Sequence, residues 1–94
     1  MKVELLYWEG CPSYPETLAT LRELGVEVEL REVRTEADAE ELAFPGSPTV
    51  RVNGRDVDPQ GAAGRPALTC RIYRLPDGRI SPVPSREQLE EALA

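Results

Sequence analysis

Lys2-Val3-Glu4-Leu5-Leu6-Tyr7-Trp8-Glu9-Gly10-Cys11-Pro12-Ser13-Tyr14-Pro15 changes character halfway along. Residues 2–8, apolar and aromatic, read as a strand, and Gly10-Cys11-Pro12 breaks it. Pro15 suits the first turn of a helix that carries Leu18, Leu21 and Leu24 on one face, with Gly25 as its stop. A cysteine therefore stands where a strand hands over to a helix.

Working outward, residues 26–33 alternate Val26, Val28 and Leu30 against Glu27, Glu29 and Arg31, which predicts a half-buried strand. Thr35 is placed to cap a helix over residues 36–43, with Glu36 and Asp38 favourable in its first turn. Phe44-Pro45-Gly46-Ser47-Pro48 is a loop. Thr49-Val50-Arg51-Val52 alternates again, and Asn53-Gly54 predicts a hairpin with Arg55-Asp56-Val57. Residues 58–66 form a Gly/Pro-rich loop, Leu68 to Leu75 a further strand turned by Pro76-Asp77-Gly78. Ser85 with Gln88 makes a capping box for a final helix whose Leu89 and Leu93 face inward. The order β-α-β-α-β-β plus a C-terminal helix demands a parallel first pair and an antiparallel later hairpin. The fold class is an α/β sandwich with a mixed four-stranded sheet flanked by helices, expected as a single domain over residues 1–94.

Composition limits the chemistry. The 94 residues include two cysteines and no histidine, which excludes Ser-His-Asp and Cys-His catalysis and any histidine-ligated metal. The net charge of −6 argues against a nucleic-acid partner. That charge is uneven: residues 1–47 hold 4 basic and 11 acidic groups, residues 48–94 hold 7 and 6. Arg65, Arg71, Arg74 and Arg79 cluster in the second half, either to solvate a surface, the favoured reading, or to draw an anionic thiol. Apolar runs are too short to span a bilayer, no secretory signal is apparent, and two cysteines then point to the cytoplasm. Ten Arg to one Lys, nine Pro and few amides fit a thermophile and equally GC-rich coding.

Trp8-Glu9-Gly10-Cys11-Pro12-Ser13-Tyr14, Ser47-Pro48-Thr49 before a strand, and the Asn53-Gly54 hairpin together resemble the thioredoxin-like superfamily, in particular its small glutaredoxin-like members. The resemblance covers about residues 2–60. It implies a three-layer sandwich, a cis peptide before Pro48, and Ser47 offering its backbone to a bound thiol substrate. Trp8, Pro12, Tyr14, Ser47, Pro48 and Thr49 are the implied substrate-binding residues, with no metal and no cofactor. The implied partner is a disulfide-containing protein or a low-molecular-weight thiol such as glutathione, with neither nucleic acid nor membrane.

Cys11 is the candidate nucleophile. Unpaired N–H groups and the positive end of a helix favour its thiolate. The bland alternative is an inert cysteine at a helix cap. Tyr14 stands where dithiol members of the superfamily carry a second cysteine, so the only other thiol is Cys70. In the implied fold the chain returns beside Cys11 near Pro59, so Cys70 can reach it as a resolving cysteine; otherwise it is a small strand residue. The leading expectation is thiol–disulfide exchange, with thioredoxin-fold scaffolding and soft-metal or metalloid binding by Cys11 and Cys70 as alternatives.

Overall fold

The computed structural model describes residues 1–94. Strand β1, Val3–Tyr7, leads to helix α1, Tyr14–Glu23; strand β2, Glu29–Glu32, leads to helix α2, Glu36–Glu41. Strands β3, Thr49–Val52, and β4, Arg55–Asp56, form the hairpin. A short 3-10 turn at Gly61–Ala63 precedes β5, Tyr73–Arg74, and β6, Ile80–Ser81, and helix α3 spans Arg86–Leu93. The radius of gyration, 12.0 Å, is that of a compact chain of this length, about 12 Å.

The main sheet has the order β2-β1-β3-β4. Strands β1 and β2 are parallel, with Leu5 opposite Leu30, whereas β3 runs antiparallel to both β1 and β4. Alternation along β1 sorts its side chains to two faces. Val3 and Leu5 join Val50, Val52, Leu21 of α1 and Leu89 of α3 in one core cluster. Leu6 turns the other way and joins Val33, Phe44 and Ala39 of α2. The sheet is thus sandwiched, with α1 and α3 on one face and α2 on the other. Glu4, also on the α2 face, is buried and accepts a hydrogen bond from Arg31 at 3.0 Å.

Local signals act as expected at several ends. Gly25 closes α1 with φ 80°, and Thr35 Oγ1 accepts from Asp38 N–H to cap α2. Asn53 and Gly54 have φ of 53° and 82°, the paired left-handed conformations of a type I′ turn. Ser85 and Gln88 form the reciprocal capping box of α3.

Three expectations need correction. Strand β2 begins at residue 29 rather than 26, because pairing with β1 starts at Glu4 opposite Glu29. Val26 and Val28 still pack half-buried on the core, but Leu30, on an edge strand, is 44% exposed. Helix α2 ends at Glu41, and Ala43 at φ 51° turns the chain into the loop. Residues 68–75 are not one strand: Cys70 makes a single parallel bridge to Ser47, and only Tyr73–Arg74 pairs with β6, in a separate two-stranded sheet. No helix is long and apolar enough to cross a membrane.

Candidate functional site

Cys11 lies in the turn between β1 and α1. Its N–H donates to the Trp8 carbonyl at 3.0 Å, closing a tight turn. Trp8 N–H in turn donates to Ser47 Oγ at 3.0 Å, which ties this turn to the loop before β3. A Cβ at Gly10 would overlap the Trp8 ring, so any larger residue there would have to displace it. Regular helix starts at Tyr14, so Cys11 stands just ahead of the first helical turn rather than within it. Ser13, at the N-cap position, already has helical dihedrals and its side chain makes no capping bond. Its hydroxyl instead lies 3.8 Å from Cys11 Sγ.

Cys11 and Cys70 form a disulfide across 59 residues, with their Cα atoms 5.4 Å apart. That separation is ordinary for a protein disulfide. Cys11 is buried (1% exposed), whereas Cys70 is exposed. The Ser47–Pro48 peptide is cis, and the Ser47 carbonyl lies 3.6 Å from Cys11 Sγ.

Ser47 also holds the segment carrying Cys70. Its N–H donates to the Thr69 carbonyl at 2.8 Å, and its carbonyl accepts from Arg71 N–H at 2.9 Å. The backbone of Ser47, expected to serve a foreign thiol substrate, is therefore engaged by the chain's own residues 69–71. Gly46, at φ 139°, permits this approach: a Cβ there would lie 2.8 Å from Arg71 Cβ.

Arg71 anchors the segment from the other side. Its side chain, 2% exposed, donates through Nη1 and Nη2 to both oxygens of Asp56 at 2.8 Å. It also donates to Thr49 Oγ1 at 3.2 Å and to the Asp58 carbonyl at 3.0 Å, leaving only Nε without a partner. The guanidinium carbon lies 4.3 Å from the centre of the Tyr73 ring. Burial works against the charge of Arg71, yet the bond to Asp56 and the neighbouring negative charges raise its pKa overall. Burial likewise raises the pKa of Tyr73, whose hydroxyl donates to the Pro48 carbonyl. Pro48 is thus held from the Tyr73 side while Ser47 is held by residues 69–71.

The expected site residues divide. Cys11, Cys70, Ser47 and Pro48 converge. Thr49 is close but buried, its hydroxyl donating to the Gly46 carbonyl at 2.6 Å and accepting from Arg71. Trp8 is half-buried against the α2 face, and Pro12 is exposed. Tyr14 stacks on Tyr7, with ring centres 4.2 Å apart, and donates to Glu9 at 3.1 Å. That bond to Glu9 raises its pKa.

The arginine cluster also divides. Arg65, Arg74 and Arg79 are exposed, Arg79 with Asp77 at 2.6 Å, but Arg71 belongs to the interior. Sequence reading missed Arg71 and Asp56 because hydropathy in residues 70–73 is inverted. Charged Arg71 points inward with Tyr73, while apolar Ile72 is 65% exposed. No local signal marks such an inversion; it arises from Asp56, 15 residues away.

No protein-family model, curated protein or solved structure matches the chain.

Proposed function

We propose that the protein is a thiol–disulfide redox protein of the thioredoxin/glutaredoxin-like kind, whose working pair is Cys11 and Cys70. One observation carries this reading: two cysteines 59 residues apart meet in a disulfide beside cis Ser47–Pro48, at the turn between the first strand and the first helix. The β-α-β-α-β-β order and the helices on both sheet faces support the resemblance read from the motifs. The pair would cycle between disulfide and dithiol, passing two electrons to or from a disulfide-containing protein or a low-molecular-weight thiol such as glutathione.

Cys11 would act as a nucleophilic thiolate. In the reduced protein the Ser13 hydroxyl is placed to donate a hydrogen bond to it, and the start of α1 lies just beyond. Arg71, although cationic and adjacent to Cys70, is neutralised by Asp56 and acts as an anchor. Outside hyperthermophiles, a cytoplasmic disulfide is commonly transient and catalytic rather than structural.

The test is a mass measurement of the non-reduced protein with thiol titration after incubation in glutathione buffers. The expected result is an intramolecular bond that forms and opens with the buffer, and a Cys11 alkylation midpoint below about pH 8.5 in the reduced protein. Two free thiols under oxidising conditions would overturn the reading. Tight retention of a soft metal ion by the reduced pair, without exchange, would favour the metal-binding alternative.

A further inference from the structure

We infer that partners exchange with this site at Cys70 and that Cys11 is the resolving thiol, which reverses the roles expected from the motif around Cys11. The inference rests on the redox reading above and concerns the order of events within it.

Disulfide exchange is an in-line displacement: the attacking sulfur approaches opposite the sulfur that leaves, so access decides which sulfur is attacked. Attack on Cys11 Sγ would require approach opposite Cys70. Cys11 is only 1% exposed, and its sulfur is hemmed in by the Ser47 carbonyl at 3.6 Å and Ser13 Oγ at 3.8 Å. Cys70 is exposed and alternates with inward Arg71 and Tyr73. The register also leaves the backbone of Cys70 largely unpaired. Ser47 bonds to Thr69 and Arg71, so the N–H and carbonyl of Cys70 itself face away from Ser47. The single hydrogen bond to either group is a long one, 3.4 Å, from Thr69 Oγ1 to the Cys70 carbonyl.

The chemistry then balances as follows. A partner thiolate attacks Cys70 Sγ, the Cys11–Cys70 bond breaks, and Cys11 leaves as a thiolate. The mixed disulfide sits on Cys70. A second partner thiolate attacks the partner sulfur of that bond, releasing the oxidised partner and the Cys70 thiolate, which takes a proton from water. Two partner thiols are oxidised and the protein disulfide is reduced. In reverse, the Cys70 thiolate opens a partner disulfide and expels one partner thiolate. The Cys11 thiolate then attacks Cys70 Sγ, expels the second and closes the internal bond. The backbone bonds of Ser47 and the ion pair of Arg71 with Asp56 are separate from the disulfide, and in this cycle they hold Cys70 within reach for that closure.

Oxidised full-length protein is mixed briefly with limiting reduced glutathione, quenched with excess N-ethylmaleimide, digested and mapped by mass spectrometry. The expected species carries glutathione on the Cys70 peptide and maleimide on the Cys11 peptide, in about tenfold excess over the reverse. Glutathione on Cys11 in equal or greater amount overturns the order while leaving the redox reading intact. Failure of the protein to form the internal disulfide in oxidised glutathione overturns both. Should the adduct be too short-lived to map, single variants replace it. Cys11→Ser is expected to form a mixed disulfide with oxidised glutathione about tenfold faster than Cys70→Ser. Equal rates, or the opposite ranking, overturn the order.

Discussion

Ser47 grips the chain on both sides of Cys70, donating to the Thr69 carbonyl at 2.8 Å and accepting from Arg71 N–H at 2.9 Å. The residue whose carbonyl also touches Cys11 Sγ, at 3.6 Å, is therefore the one that positions the second cysteine. Both are backbone bonds, separate from the disulfide itself. Backbone pairing and the cross-link together bring Cys70 to Cys11.

Opening the cross-link should cost stability chiefly through the unfolded chain. A closed loop spanning 59 residues restricts that chain by about 4 kcal/mol in the chain-entropy account. For a domain of this size the loss corresponds to a fall in Tm of about 15–30 °C. Thermal unfolding followed by circular dichroism, with and without dithiothreitol, reads the difference. Coincident midpoints would show that the bond adds nothing to stability.

Gly46→Ala should disturb the thiol pair more than the fold. The new Cβ would meet Arg71 Cβ at 2.8 Å and Arg71 Cα at 3.0 Å, on a backbone at φ 139°. Pushing residues 69–71 off Ser47 should make the disulfide about tenfold easier to reduce in glutathione buffers, roughly 1.4 kcal/mol. Gly25→Ala is the control: φ is 80° but nothing lies within 4 Å. It should cost about 1 kcal/mol of stability and leave the thiol equilibrium unchanged. An unmoved equilibrium in Gly46→Ala would mean that this contact does not place Cys70.

Arg71→Ala should destabilise the fold by about 3–5 kcal/mol, because it leaves the nearly buried carboxylate of Asp56 without its partner. Asp56→Ala should cost a similar amount by stranding the guanidinium. The double variant should lose much less than the sum, since the two groups serve one another. Urea titration of the three variants gives the coupling. Strict additivity would contradict the geometry of the ion pair.

Tyr73 should make the protein sensitive to alkali. Its folded-state pKa is raised by burial, so its contribution is complete below the free phenol value of about 10. Above that pH the unfolded chain releases a proton that the folded protein retains, and stability falls as pH rises further. Tyr73→Phe should lose about 1 kcal/mol at neutral pH with the bond to the Pro48 carbonyl, and show a shallower alkaline decline. Tyr14, raised by its bond to Glu9, acts in the same direction and is common to both proteins. Parallel alkaline curves for the two proteins would remove Tyr73 as the cause.

Features written within a few residues were legible. Gly25 ends α1, Thr35 caps α2, Asn53-Gly54 turns the hairpin, and Ser85 with Gln88 starts α3, each through a backbone group satisfied nearby. The same locality explains why the order of elements and the placement of Cys11 in the strand-to-helix turn could be read. Strand edges were less legible. Val26 and Val28 alternate like strand residues, but the pairing partner on β1 decides where hydrogen bonding begins, and it begins at Glu29.

The sequence by itself determined which chemistry was open: two thiols, no histidine, and one thiol at a turn whose glycine and prolines admit little else. It determined the order of the first six elements and the hairpin at Asn53-Gly54 through periodicity and turn residues, while the strand order β2-β1-β3-β4 came from tertiary pairing. Only the tertiary structure decided that Cys70 would meet Cys11, that Ser47 would hold it, and that Cys11 would be the buried member of the pair. The physical reason lies in Arg71. A charged residue enters the interior because Asp56, Asp58 and Thr49 converge on it from distant parts of the chain. That convergence turns Ile72 and Cys70 outward against their apolar character, and no window of neighbouring residues contains the partners that compel it.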